Sequence, residues 1–191
     1  MIAIVLWLAG PAAVRAFDPE TLRRASEAEV RRDFQTAGRL YRSLAAEGCA
    51  PAMYALGVFH RNGSGVAKNH ARAFEWFLRA ARRGYTFAEY EVGMAYLRAA
   101  GVARDEKAAR MWLGSAAQRY GEAAYQLYEI SRNDQESRRW LNQAARLSSG
   151  KAMRRLSEAY AWGELGFKAD PAMSRKWALE ADRSEGKGEN R

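Results

Sequence analysis

Apolar residues recur at three- and four-residue intervals along most of the chain, and the alternation typical of strands is absent. The run Ala73, Trp76, Phe77, Ala80 and Ala81 shows this spacing, which places apolar side chains on one face of an α-helix. Helix-capping residues precede such runs, and they are Asp18, Asp33, Thr86, Asp105, Asn133 and Asp170. Thr86 and Asn133 also have a glutamate three residues later, the spacing of a capping box. The pattern predicts an all-α protein of about ten helices.

The helical pattern itself repeats with a period of 36 residues. Residues that match under this shift are Ala52 and Ala88, Gly57 and Gly93, Trp76 and Trp112, and the alanine pairs at 80–81 and 116–117. A third copy begins at Ala124 and lacks eight residues, a fourth begins at Ala152, and half a copy precedes the first. One helical hairpin of this length cannot bury its apolar face alone, so neighbouring hairpins must stack. The sequence therefore predicts an α-solenoid.

The repeat unit has a signature that resembles a known family. From Ala52 to Ala81 it consists of Ala52, Leu56-Gly57, His60, the loop Gly63-Ser64-Gly65-Val66, Asn69, Ala73, Trp76 and Ala80-Ala81. This pattern resembles the Sel1-like repeat, a relative of the tetratricopeptide repeat with a glycine-rich loop inside each hairpin. The resemblance implies an α-α superhelix that binds other proteins in a groove formed by the first helix of each hairpin. Exported bacterial members of this family act in envelope assembly, signalling and toxin neutralisation.

Positions within the first helix of each hairpin predict which residues line such a groove. Ala52, Leu56 and His60 span about 80° of the helical wheel, at about 100° per residue, and are assigned to packing. Residues two, six and nine positions after the alanine point the opposite way. The predicted groove residues are Tyr54, Val58, Arg61, Tyr90, Met94, Leu97, Gln126 and Ile130. Exposed apolar area of this kind is typical of a contact surface. The alternative is that the amino-terminal helices or the curvature of the array cover these residues.

The first residues of the chain favour export. Residues 2–10 form an apolar run of nine, which suits a signal peptide and is shorter than the roughly 20 residues that span a bilayer. Val14 and Ala16 match a cleavage site, so residues 1–16 are assigned to a signal peptide and residues 17–182 to the solenoid. Residues 183–191 lack apolar anchors and are predicted to be a disordered tail. The expected location is the periplasm, with secretion as the alternative.

Charge and cysteine content narrow the possible partners. The chain has 31 Lys and Arg against 22 Asp and Glu, a net charge of +9, which favours a protein partner that is acidic on its contact face. Nucleic acid is not expected, because the tryptophans occupy packing positions rather than stacking platforms. Stable membrane insertion is not expected either. Cys49 is the sole cysteine, and together with His60 and His70 it offers too few ligands for the usual soft-metal site, so no metal or other cofactor is expected. An intermolecular disulfide through Cys49 and the oligomeric state stay open.

The sequence favours a non-enzymatic scaffold, and three functions compete. The first is an immunity or inhibitor protein that binds a secreted toxic effector enzyme. The second is an adaptor or regulatory subunit of an envelope assembly, such as a flagellar motor, a polysaccharide-export machine or a signalling complex. The third is an enzyme acting on cell-wall material or binding penicillin through Ser148 and Lys151, which match a serine-x-x-lysine spacing. The surrounding Ser148-Ser149-Gly150 segment also has the composition of an ordinary turn between hairpins.

Overall fold

The computed structural model describes residues 18–186, and within that range the chain forms ten helices and no strand. The helices are α1 Pro19–Val30, α2 Phe34–Ala46, α3 Ala50–Asn62, α4 His70–Ala81, α5 Thr86–Arg98, α6 Glu106–Ala116, α7 Gly121–Glu129, α8 Asp134–Arg146, α9 Gly150–Trp162 and α10 Pro171–Gly186. This confirms the predicted all-α class. The proposed signal peptide at 1–16 lies outside the described residues.

The helices form five consecutive hairpins. The main contacts between helices join only neighbours along the chain, either within a hairpin or from one hairpin to the next. Such nearest-neighbour packing is the organisation of a solenoid, as the repeats predicted. We call the side formed by α3, α5, α7 and α9 the first-helix face, and the side formed by α2, α4, α6 and α8 the second-helix face.

Short polar side chains begin most of the helices, as the sequence indicated. Asp18, Asp33, Asp105, Asn133 and Asp170 each accept backbone N–H groups of the following first turn. Each such hydrogen bond satisfies a donor that the helix itself leaves unpaired.

The predicted capping box at Thr86 is wrong. Helix α5 begins after Tyr85, whose side chain makes no capping hydrogen bond. The Glu89 carboxylate is buried and accepts a hydrogen bond from the Ser115 hydroxyl at 2.8 Å, across to α6. The Glu89 carboxylate therefore forms a tertiary hydrogen bond to α6 and does not make the cap of α5 that the local spacing had predicted.

Small residues let the two helices of a hairpin approach closely. A Cβ placed on Gly57 of α3 would lie 2.5 Å from two ring carbons of Phe77 on α4. A Cβ on Gly93 of α5 would lie 2.7 Å from Leu113 on α6. The alanine pairs of α4, α6 and α8 are buried at the same interfaces. These contacts explain why the alanine and glycine positions recur in every well-matched copy.

The hairpin of α7 and α8 lacks the long loop that joins α3 to α4, α5 to α6 and α9 to α10. Helix α7 has 9 residues, whereas α3, α5 and α9 each have 13. Arg110 of α6 attaches this shortened hairpin to the preceding one, since its guanidinium pairs with Glu136 at 2.6 Å and donates to the Ile130 carbonyl. The chain thus compensates for the missing loop with a charged hydrogen-bond bridge.

The carboxyl-terminal boundary differs from the prediction. Helix α10 continues to Gly186, beyond the predicted end at 182. Arg183 pairs with Glu180 at 3.1 Å, and the Ser184 hydroxyl donates to the Ala181 carbonyl. These local interactions extend the helix without apolar anchors. Residues 187–191, the rest of the predicted tail, lie outside the described range.

Candidate functional site

Five aromatic rings from three successive hairpins meet on the first-helix face. They are Tyr54, Tyr85, Phe87, Tyr90 and Tyr120, and we call them the aromatic cluster. Tyr54 contacts Tyr85 at a ring-centroid distance of 5.3 Å and Phe87 at 6.4 Å. Tyr120 contacts both Phe87 and Tyr90 at 5.2 Å, edge to face. Phe87 is 46% exposed, and the four tyrosines around it are half-buried. The result is a continuous aromatic surface with an accessible ring near its centre.

The repeat itself places this cluster. Tyr85 and Tyr120 precede the first turns of α5 and α7 in extended backbone, so their rings lie beside the start of each first helix. Cys49 and Ser149 occupy the same position in other hairpins. Sequence reasoning missed Tyr85, Phe87 and Tyr120 because it considered only positions after the repeat alanine. The recurrence of tyrosine 35 residues apart just before two first helices was the signal that could have identified them.

The structure brings part of the predicted groove together. Tyr54 and Tyr90 belong to the aromatic cluster. The Arg61 side chain packs over the Phe77 ring, with its guanidinium carbon 5.6 Å from the centroid. The predicted residues that are half-buried on this face are Tyr54, Val58, Arg61, Tyr90, Leu97, Gln126 and Ile130. Their role in binding a partner stays a prediction.

Met94 is the exception among the predicted groove residues. Its side chain is 5% exposed and belongs to a buried core cluster with Leu113. It lines a cavity of about 240 Å³ between α4 and α5, together with Phe77 and Arg98. The helical-wheel argument considered only packing against the second helix of the same hairpin, whereas α5 also packs against α4 of the preceding hairpin. The assignment of Met94 to an exposed surface is therefore wrong.

Ion pairs neutralise the first-helix face. Arg61 of α3 pairs with Glu91 of α5, and Lys151 of α9 lies 3.3 Å from Glu122 of α7. The four first helices α3, α5, α7 and α9 together contain five Arg or Lys and five Asp or Glu. Because cations and anions balance here, the net positive charge of the chain does not come from these helices.

The tyrosine hydroxyls of the aromatic cluster stay protonated. Burial raises the pKa of Tyr54, Tyr90 and Tyr120 above the ordinary value, so each keeps its O–H at neutral pH. A neutral phenol can both donate and accept a hydrogen bond. The face therefore offers apolar ring area together with polar groups that carry no charge, a composition typical of protein-binding surfaces.

The serine-lysine pair is not assembled as a catalytic unit. The Lys151 ammonium lies against Glu122, and the Ser149 hydroxyl donates to the same carboxylate at 2.7 Å. Ser148 is exposed in the turn, in the left-handed region with φ +63°. Within residues 18–186 no hydrogen bond joins Ser148 to Lys151. The segment has the geometry of the hairpin connection.

Other candidate chemistry finds little support in the described part of the chain. Cys49 is 1% exposed, and burial raises the pKa of its thiol, which disfavours the reactive thiolate. Across residues 18–186, His, Cys, Asp and Glu side chains form no group of three or more that could hold a metal ion. Among the ten helices, none has the length and apolar character needed to cross a membrane.

Comparisons with known proteins agree with this architecture. The family model described as Sel1 repeat matches residues 26–49, 50–85, 86–120, 115–149 and 150–181. No curated protein sequence matches the chain. A Sel1 repeat protein from Oxalobacter formigenes superimposes with a TM-score of 0.75 at 22% identity, over 87% of this chain and 69% of its own.

Two further solved structures are similar to the chain to different degrees. The protective antigen c5321 of uropathogenic Escherichia coli, which displays an SLR fold, has a TM-score of 0.72 at 27% identity, over 79% of this chain and 34% of its own. The immunity protein Pa5087 from Pseudomonas aeruginosa has a TM-score of 0.49 at 16% identity, over 89% of this chain and 84% of its own. The last likeness is too distant to bear on function.

Proposed function

Because the chain belongs to the Sel1 repeat family, as the sequence resemblance predicted, we propose that it binds a protein partner on the first-helix face and catalyses no reaction. Sel1 repeats are in general non-catalytic scaffolds for protein–protein interaction. The aromatic cluster carries the proposal for where the partner sits. An exposed Phe87 within a ring of half-buried tyrosines has the composition of a binding hot spot.

The cluster is also organised before binding. Each ring contacts at least one other, so few side-chain rotamers remain to be fixed when a partner arrives. Ordering a flexible side chain at an interface costs about 0.5–1.5 kcal/mol, and a preformed surface avoids much of that cost. Tyrosine hydroxyls at the rim can take up hydrogen bonds from the partner without burying a charge.

Tyr90 and Tyr96 provide a matched test, because both lie on α5. Tyr90 contacts Tyr120 edge to face at 5.2 Å within the aromatic cluster. Tyr96 contacts Phe74 of α4 edge to face at 5.3 Å, outside the cluster. Substitution of either residue by alanine removes one equivalent ring contact. We expect Tyr90→Ala and Phe87→Ala each to weaken binding of the partner protein by at least about tenfold, which is the effect of losing a hot-spot residue. Tyr96→Ala should change affinity by less than about twofold. Equal losses for Tyr90→Ala and Tyr96→Ala would move the binding site away from this face.

The finer proposal is that the partner is a secreted toxic enzyme, which this chain inhibits as a periplasmic immunity protein. The predicted signal peptide and the preformed binding face support it. The test co-expresses the chain with each periplasm-directed product of its neighbouring genes. We expect one product to arrest growth and the chain to restore it, with Phe87→Ala failing to do so. Neighbours that are non-toxic components of a motor or export machine would contradict the immunity role and leave the scaffold function standing.

A further inference from the structure

Positive charge is concentrated on the second-helix face. Helices α2, α4, α6 and α8 contain nine Arg or Lys and four Asp or Glu, whereas the four first helices are balanced at five and five. Charge distributed in this way gives one side of a protein a positive potential that attracts anionic groups. Five of the nine net positive charges of the chain therefore lie on these four helices.

Five exposed arginines on this face lack carboxylate partners of the kind that neutralise the first-helix face. The exposed ones relevant here are Arg39, Arg42, Arg79, Arg139 and Arg146. In the portion of the chain from 18 to 186, none of these five forms an ion pair. Their charge is therefore available to a ligand.

Two grooves on this face each combine a pair of arginines with a tryptophan. The groove between α2 and α4 has a volume of about 570 Å³ and is lined by Arg39, Arg42 and Trp76, and also by Asp33, whose carboxylate caps α2. The groove beside α8 has a volume of about 520 Å³ and is lined by Arg139, Trp140 and Arg146 of that helix and by Gln118 of the turn that follows α6. In each groove the paired arginines are three or seven residues apart on one helix, which places them on the same side of it.

Arginines cover the tryptophan rings of both grooves. The guanidinium carbon of Arg79 lies 4.7 Å from the Trp76 ring centroid, and that of Arg139 lies 5.0 Å from the Trp140 centroid. A stacked guanidinium is held in one orientation and keeps its N–H edges free for bidentate hydrogen bonds to a carboxylate. The same stacking occupies the ring face that a nucleic-acid base would need.

We propose that the second-helix face is a second binding surface, which takes an acidic polypeptide segment whose Asp and Glu carboxylates pair with the arginines of the two grooves. The arginines without carboxylate partners supply the charge complementarity, and the two grooves supply two anchoring points for one bound polypeptide. This surface is separate from the aromatic cluster, so the proposal holds or fails independently of the function proposed for the first-helix face.

Fluorescence anisotropy with a labelled deca-glutamate peptide tests the proposal on the full chain. We expect Arg139→Gln/Arg146→Gln to weaken binding about tenfold at low ionic strength, and Arg39→Gln/Arg42→Gln to have a similar effect. The matched control removes the same net charge through Arg23 and Arg183, which are ion-paired with carboxylates on α1 and α10. Arg23→Gln/Arg183→Gln should change affinity less than about twofold. Tyr90→Ala should leave peptide binding unchanged, and circular dichroism checks that each variant is folded.

Three results would overturn the proposal. Equal weakening by the groove variants and the control would show that net charge alone drives binding. The absence of peptide binding at low ionic strength would remove the site. If the chain binds a decathymidylate strand more tightly than the peptide, and Trp140→Ala abolishes that binding, the face is assigned to nucleic acid instead of an acidic polypeptide.

Discussion

Substitution of Gly57 by alanine should separate the helices of the α3–α4 hairpin. The added Cβ would lie 2.5 Å from Cδ1 and Cε1 of Phe77, where contacts between carbon atoms are favourable at about 3.5–4.0 Å. Phe77 is 3% exposed and contacts Tyr54 and the Arg61 guanidinium, so moving its ring into the adjoining cavity that Met94 also lines would disrupt both contacts. Overpacking of this kind costs about 1–3 kcal/mol, and we expect the upper end of that range here. Alanine regains about 1 kcal/mol of helix propensity, so the expected net loss of unfolding free energy is about 2 kcal/mol.

Gly114 of α6 provides the control, because nothing lies within 4 Å of a Cβ placed there. Gly114→Ala should gain up to about 1 kcal/mol from helix propensity alone. The assay is urea unfolding followed by circular dichroism at 222 nm. The double variant Gly57→Ala/Phe77→Leu should recover part of the loss, since leucine leaves room for the added methyl group. A Gly57→Ala protein as stable as Gly114→Ala would refute the argument that close helix approach requires glycine at this position.

Two further predictions concern buried polar groups. Burial lowers the pKa of His60 below its ordinary value of about 6.5, so as the pH falls through that value the unfolded chain takes up the proton first and stability is lost. His60→Tyr introduces the residue found at the equivalent position, Tyr96. Between about pH 7 and pH 5 the urea-unfolding midpoint of this variant should fall less than that of the original protein. An equal fall in both proteins would exclude His60 as the source of the pH dependence. Met53 occupies the position equivalent to the buried Glu89, so Glu89→Met should be neutral or stabilising in thermal unfolding. Ser115→Ala should instead cost about 1 kcal/mol, because it removes the hydrogen bond to that carboxylate; a stabilised Ser115→Ala would contradict this assignment.

The fold was predictable because one set of packing rules recurs along the chain. The positions of Gly57 and Gly93 are dictated by direct contact with the second helix of the same hairpin, so they recur with the repeat. Caps such as Asp105 depend on backbone groups two or three residues away and are equally local. Where a distant partner competes for a side chain, as Ser115 does for Glu89, the local rule fails.

The candidate site was only partly predictable, because exposure depends on neighbouring hairpins. Met94 satisfies the helical-wheel rule for an exposed position but is covered where α5 packs against α4. Phe87 becomes the accessible centre of the aromatic cluster through contacts with Tyr54 and Tyr120, which belong to the hairpins before and after it. Net charge likewise carries no information about which face bears it. Arg61 of α3 is neutralised by Glu91 of α5 in the next hairpin, a pairing that the sequence alone does not reveal.

Site-specific photo-crosslinking tests the central claim most directly. A photoreactive phenylalanine analogue replaces Phe87 on the first-helix face or Leu179 on α10, two exposed apolar residues at 46% and 58% exposure. After irradiation in the presence of the native partner, mass spectrometry identifies the crosslinked peptides. We expect position 87 to crosslink to one defined segment of the partner and position 179 to give none. Crosslinks to the partner from position 179 and none from position 87 would show that the first-helix face is not where this scaffold holds its partner.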